Sequence, residues 1–236
     1  MTAIVATATT AALATAPAEA GPLTYTIQNG GYLTGTNMGP ISAYGSRSGF
    51  AMNCTSSTFS GWTQKDTSGS PVVDGIVDGE NIATLDDVSF SSPGANANDW
   101  CWSNGVYAQV TTLGLPWKFV ATGSGPGGTT DGRLTGIQFK LHMQSSPCDV
   151  IIGGPGVGGS GGYYEAMYLN PSTLTSGDAI LFIDFQGVSN LTVLSISGPS
   201  CEALYMPGEP VSLIGQYNLK RTGPVPPAAG ISPTIT

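Results

Sequence analysis

Charged residues are scarce in this sequence: Asp, Glu, Lys and Arg make up 9% of its 236 residues, far below the roughly 25% of an ordinary globular protein. The polar surface must therefore come from Ser, Thr, Asn and Gln. With seven Lys plus Arg and a formal net charge of −8, the chain has no basic stripe to displace counterions from a polyphosphate. That excludes nucleic acid as an expected partner and removes electrostatic attraction to anionic lipid. Long apolar runs are missing too, and nothing approaches the roughly 20 residues of a transmembrane helix. A single histidine, His142, is available to any imidazole-based mechanism. None of the four cysteines lies in a C-x-x-C spacing, which removes the common zinc and redox motifs.

Chain punctuation, by contrast, is abundant. The 34 Gly and 17 Pro interrupt the sequence too often for long helices, while a 40% apolar content suffices for a sizeable core. Leu23 to Gln28 alternates apolar and polar residues and stops at Asn29-Gly30-Gly31, which predicts a strand and a turn. Phe50, Met52 and Cys54 share one face of another strand, so the first cysteine points inward. The clearest strand is Ile137 to Gln144, with four apolar residues on one face and four polar ones on the other. Others are predicted at 88–90, 106–111, 117–121, 190–197 and 211–219, whereas residues 61–80 read as turn-rich. Ala179 to Phe185 is a nearly continuous apolar run of the kind buried on both faces. About ten strands with no convincing helix predict an all-β fold, either a β-sandwich or a closed β-barrel.

Residues 1–20 are rich in Ala, Thr and Val and end in Ala18-Glu19-Ala20, an A-x-A cleavage pattern that predicts a signal peptide or a disordered leader. No Lys or Arg precedes Arg47, so the basic segment of a complete signal is missing. The expected division is a leader (1–20), one all-β domain (21–222) and a Pro-rich mobile tail (223–236). Cys54, Cys101, Cys148 and Cys201, an even number behind an export pattern, predict two disulfides and a secreted or cell-surface location. Of three possible pairings, Cys54 with Cys101 and Cys148 with Cys201 is favoured, because it keeps each bridge inside one half of the chain.

From Tyr25 to Leu219 several short motifs stand out: Asn53-Cys54-Thr55-Ser56-Ser57 with Gly61, Leu115-Pro116-Trp117, Gly132-Arg133-Leu134-Thr135-Gly136-Ile137, Pro147-Cys148, Gly208-Glu209-Pro210 and Gly215-Gln216-Tyr217. In these the chain resembles a group of small secreted actinobacterial proteins with no settled activity. The resemblance implies export and a four-cysteine β fold, and brings no catalytic residues. The Gly-dense stretch from Gly153 to Gly162 departs from that group's pattern.

That stretch contains two catalytic-looking motifs. Gly154 to Gly159 spells G-x-G-x-x-G, but Gly and Pro continue through Gly162 where a dinucleotide site needs a helix N-terminus; a flexible loop and no cofactor are expected. A G-x-S-x-G surrounds Ser160, yet His142 precedes the serine and lies on the polar face of its strand, which argues against a triad. Glu80, Asp86, Asp87, Asp99, Glu165 and Asp184 supply carboxylates without defining an acid–base pair, although Asp184 interrupts an apolar run where a charge needs a partner. Asp74 to Glu80 is acidic and Gly-rich, but Ile76 and Leu85 fall where an EF-hand needs ligands. No metal site and no enzymatic activity are expected.

The strongest binding signal is Trp100-Cys101-Trp102. In a strand both indoles face away from the cysteine, so an inward Cys101 leaves two outward tryptophans as the expected ligand-binding residues, with Trp62, Tyr163 and Tyr164 as further platforms. Together these features predict a non-catalytic secreted or cell-envelope protein with a structural or surface-assembly role through self-association. The alternatives are a carbohydrate-binding module that stacks cell-wall glycan on the tryptophans, and an envelope β-barrel pore.

Overall fold

A computed structural model describes residues 23–103, 105–144, 147–174, 176–183, 188–223 and 230–236. The expected leader (1–20), Asp184, and residues 224–229 of the expected tail lie outside the described residues. In chain order the strands are β1 (Thr24–Gln28), β2 (Tyr32–Asn37), β3 (Ile41–Gly45), β4 (Ala51–Cys54), β5 (Ser56–Thr63) and β6 (Gly75–Asp78). They continue as β7 (Ala83–Ser91), β8 (Cys101–Ser103), β9 (Val106–Leu113), β10 (Trp117–Ser124), β11 (Thr129–Thr135) and β12 (Gln138–Met143). The last are β13 (Cys148–Gly153), β14 (Tyr163–Leu169), β15 (Ala179–Ile183), β16 (Thr192–Ser197), β17 (Val211–Thr222) and β18 (Thr234–Ile235). Helical structure among the described residues is limited to four short 3-10 turns, as the Gly and Pro spacing requires. The fold is all-β, as expected, but with eighteen strands among the described residues rather than about ten.

The sheet order explains the shape. Eight antiparallel strands, β15–β14–β11–β10–β7–β5–β2–β17, form a closed barrel, because β17 also pairs with β15 through Ala179 opposite Leu219 and Ile183 opposite Gly215. The N-terminal part of β17 then belongs to a second row, β17–β3–β4–β8–β9–β12–β13–β16. This row also curls back on itself: Thr192 bridges Pro210, and the Val211 amide donates to the Leu191 carbonyl at 2.9 Å. One twelve-residue strand therefore serves two barrels in succession. The change of partner falls at Gly215, between Ile214 opposite Ser42 on β3 and Tyr217 opposite Asn37 on β2, and Ile41 Cδ1 fills the space a Cβ would take there, 2.4 Å away. A further, three-stranded sheet of β18, β1 and β6 adds Ile27 and Ile235 to the residues packed in the first barrel.

Eight strands make a barrel whose interior is filled by its own side chains. Leu33, Phe59, Leu85, Phe119, Leu181 and Leu219 meet in the first, and Ile41, Met52, Phe139 and Leu213 in the second. The voids left are about 20 Å³ and 10 Å³, room for about one water each. An apolar filled interior is the reverse of a membrane pore, whose lumen is polar and open. No helix among the described residues is long and apolar enough to cross a membrane.

Both disulfides form with the expected pairing, Cys54–Cys101 and Cys148–Cys201, with Cα atoms 4.6 and 5.0 Å apart. Both staple the second barrel: the first joins β4 to β8, the second ties the start of β13 to the turn after β16. The end of the segment read as a mobile tail is instead docked. Ile235 is buried opposite Ile27, its amide donates to Asn170 Oδ1 at 2.7 Å, and Tyr168 Oη donates to the Pro233 carbonyl at 2.7 Å. The turn-rich reading of residues 61–80 also needs correction, since the end of β5 and all of β6 lie there. In β15, Ile180 and Phe182 are only half-buried, so the described part of the run expected to be covered on both faces alternates.

A buried carboxylate locks the start of the shared strand. Glu209 is fully buried and accepts from Arg47 N (3.2 Å), Ser48 N (2.9 Å), Ser48 Oγ (2.9 Å) and Met206 N (3.3 Å). It thus joins the β3–β4 turn to the loop before β17. Glu209→Ala would leave the Arg47, Ser48 and Met206 amides without this acceptor and is expected to cost about 3 kcal/mol, measured by urea unfolding; a change within error would show that the loops hold without it.

Candidate functional site

The second barrel presents a continuous aromatic and amide surface on its outer side. Cys101 is buried in its disulfide, and strand alternation turns Trp102 outward, where it is 45% exposed. Trp102 lies opposite Asn53 on β4 and Tyr107 on β9, and its ring meets the Tyr107 ring edge-on at 4.9 Å. Trp100, half-buried, packs edge-on against His142 at 5.8 Å. Exposed Gln109 and Gln144 complete the row on β9 and just beyond β12. Ser42 Oγ donates to Asn53 Oδ1 at 2.6 Å, which fixes the end of that amide left to donate.

The platform is held rigid from behind. In the loop before β8, Asn96 clamps Trp100 from both sides: its Nδ2 donates to the Trp100 carbonyl (3.1 Å) and its Oδ1 accepts from the Trp100 amide (3.3 Å). Asp99, at φ 55°, takes the left-handed conformation that Asp tolerates better than most residues, and its carboxylate accepts from Gly94 N at 3.0 Å. Tyr107 Oη donates to the Ala95 carbonyl at 2.7 Å and ties the loop to β9. Ordered aromatic rings lose little entropy when a ligand stacks on them.

At the edge of the row, Asp149 accepts from His142 Nδ1 at 2.7 Å and pairs with Lys140 Nζ at 3.0 Å. The His142 hydrogen bond, opposed by partial burial and supported by Lys140, holds the Asp149 carboxyl below its ordinary range. His142 is engaged with Asp149 and Trp100, and no hydrogen bond among the described residues joins it to Ser160.

Other sequence candidates are placed elsewhere. Tyr164, read as a platform, is fully buried in the first barrel. Trp62 is covered by Lys65 Nζ at 4.3 Å, and Tyr163 by the Arg133 guanidinium at 4.6 Å, which is itself paired with Glu165. The Gly154–Gly159 stretch is a tied turn rather than a flexible loop: Gly154 N donates to the Gly159 carbonyl, and Gln138 Nε2 to that of Gly158. In the acidic loop, Asp74 accepts from Asn29 N, and Asp78 from Gln64 Nε2 and Glu80 N. Sequence reading named the tryptophans as candidates but not Tyr107, Asn53 or Asn96; the strand register brings Tyr107 and Asn53 opposite Trp102.

The fold and surface define a disulfide-stapled, closed-barrel β protein with one ordered aromatic face. No family model matches the chain, and neither a curated protein nor a solved structure matches it. The functional reading therefore rests on geometry alone.

Proposed function

We propose that the protein is a non-catalytic extracellular binding protein that stacks neutral glycan on the outer face of its second barrel. The observation carrying this reading is the exposed Trp102, held edge-on to Tyr107 in a row of Asn and Gln side chains. Sugar rings offer an apolar face to an indole and hydroxyls to amides, and this row supplies both chemistries. The net charge of −8 disfavours polyanionic partners, leaving neutral polysaccharide as the better match. Two buried disulfides suit an oxidising compartment, which supports export. Self-assembly by strand addition receives less support, because closing both rows leaves few free sheet edges among the described residues.

The reading is tested by glycan-array screening followed by calorimetric titration. Trp102→Ala is expected to weaken binding about ten-fold or more while leaving the circular-dichroism spectrum unchanged, since the side chain is half-exposed. Silence across neutral glycans, or full affinity in the variant, would sink the proposal.

A further inference from the structure

At the far end of β17, on the first barrel, a cation sits in an unusual position. Arg221 occupies an inward position of the alternating strand and is 3% exposed. Its Nε and Nη1 are buried and meet no hydrogen-bond acceptor, and none of the ion pairs among the described residues includes it. Desolvating a guanidinium without a counter-charge is costly, and folded proteins pair such groups almost without exception. The strand does not need a cation here, because the Arg221 backbone is already satisfied by the Ile231 carbonyl and the Gly230 amide.

Arg221 is one of the residues that line a groove. Gly31, Tyr32, Ser70, Pro71 and Val73 line it together with Arg221, and its volume is about 260 Å³. Gly31, at φ 113°, lies against the guanidinium, where a Cβ would come 3.3 Å from Nε. The opposite wall is stiffened by Asp66, whose carboxylate accepts from Ser68 N (2.8 Å) and Ser70 N (3.1 Å), setting Ser70 and Pro71 at the rim. Tyr32 is 54% exposed and brings a phenol to the opening.

We infer that this groove binds the carboxylate of a small organic acid, with Arg221 as its counter-ion and Tyr32 and Ser70 as flanking hydroxyls. A planar guanidinium matches a carboxylate in charge and shape. One cation balances one negative charge, and the field of a −8 protein penalises each further one, so a monoanion is favoured over phosphate. Pro71 and Val73 provide an apolar wall for the body of such an acid. The mouth of a barrel is a common place for a ligand of this size. The site lies on the other barrel from the aromatic face and stands independently of the glycan reading.

The full chain is titrated with sodium acetate and sodium glucuronate at constant ionic strength, with sodium chloride and inorganic phosphate as controls, following the unfolding midpoint and tyrosine fluorescence. The carboxylates are expected to raise the midpoint by several degrees, and chloride and phosphate to have little effect. Arg221→Leu should abolish the shift while the unliganded protein is as stable as the parent or more so. Tyr32→Phe, at an exposed position, should fold normally and weaken the carboxylate several-fold. The inference is overturned if neither carboxylate shifts the midpoint of the parent protein, if phosphate acts as strongly, or if Arg221→Leu keeps the response. Marked destabilisation of unliganded Arg221→Leu with an unaltered Tyr32→Phe would also overturn it, by assigning Arg221 a purely structural role.

Discussion

Replacing Cys54 and Cys101 together by Ala is expected to lower the free energy of unfolding by about 4 kcal/mol, and the Cys148/Cys201 pair to behave alike. The two bridges span 47 and 53 residues, so each removes a similar amount of chain entropy from the unfolded state. Either loss is comparable with much of the net stability of a typical domain. All four sulfurs are buried, so the substitutions test the bridges more cleanly than reductant, which must first wait for the fold to open. Because both staples belong to the second barrel, amide exchange should accelerate first in β4, β8, β13 and β16, with the core of β10 and β11 protected longer. Denaturant titration followed by exchange checks both parts. A loss below about 1 kcal/mol would mean that the second barrel closes through packing alone.

Alkali should be nearly as damaging. Tyr168, Tyr205 and Tyr217 are all raised well above the ordinary phenol range, in each case chiefly by burial; the Glu209 charge adds to the effect at Tyr205, and the Ser57 hydrogen bond opposes it at Tyr217. Below the ordinary value of 10.0 both folded and unfolded chains keep the three protons, and stability does not depend on them. Above it the unfolded chain ionises while the folded one cannot, and stability falls by about 1.4 kcal/mol per pH unit for each tyrosine. The three together give about 4 kcal/mol per unit, a steep alkaline transition. Ultraviolet phenolate absorbance should rise for these three only as the fold opens. Tyr205→Phe, which also deletes a buried hydroxyl that has no hydrogen-bond partner, should make the slope shallower by one tyrosine's share. Phenolate absorbance from all tyrosines appearing before any loss of β structure would contradict the account.

How much of this was legible in the sequence depended on what fills the inward positions. β12 was plain because Phe139, Leu141 and Met143 alternate with polar residues and all three are buried. β2, β5 and β11 escaped notice because their inward rows include Gly35, Gly61 and Gly132, which read as turn signals. Those glycines are barrel-wall positions where larger neighbours occupy the space: a Cβ at Gly35 would lie 2.0 Å from Phe59, and one at Gly132 2.7 Å from Phe119. Small residues facing large ones are how a narrow barrel fills, and that pairing is invisible until the register is known. The cysteine pairing was readable from keeping each bridge inside one half of the chain, and the outward Trp102 from local alternation, whereas Trp100 is half-buried just before β8. Arg221 was not, since a cation at an inward position of an otherwise ordinary strand acquires meaning only once its Nε and Nη1 are seen to have no hydrogen-bond partner.

The strand common to both barrels also governs when the molecule can finish folding. Neither ring closes before β17 arrives, and β17 (Val211–Thr222) follows its partners β2 (Tyr32–Asn37) and β3 (Ile41–Gly45) at a long distance in sequence. A nascent chain therefore holds two open rows with unsatisfied edges until residues 211–222 have been made, and folding is dominated by contacts of large sequence separation. Both rings therefore lock together in one late step, when the shared strand docks.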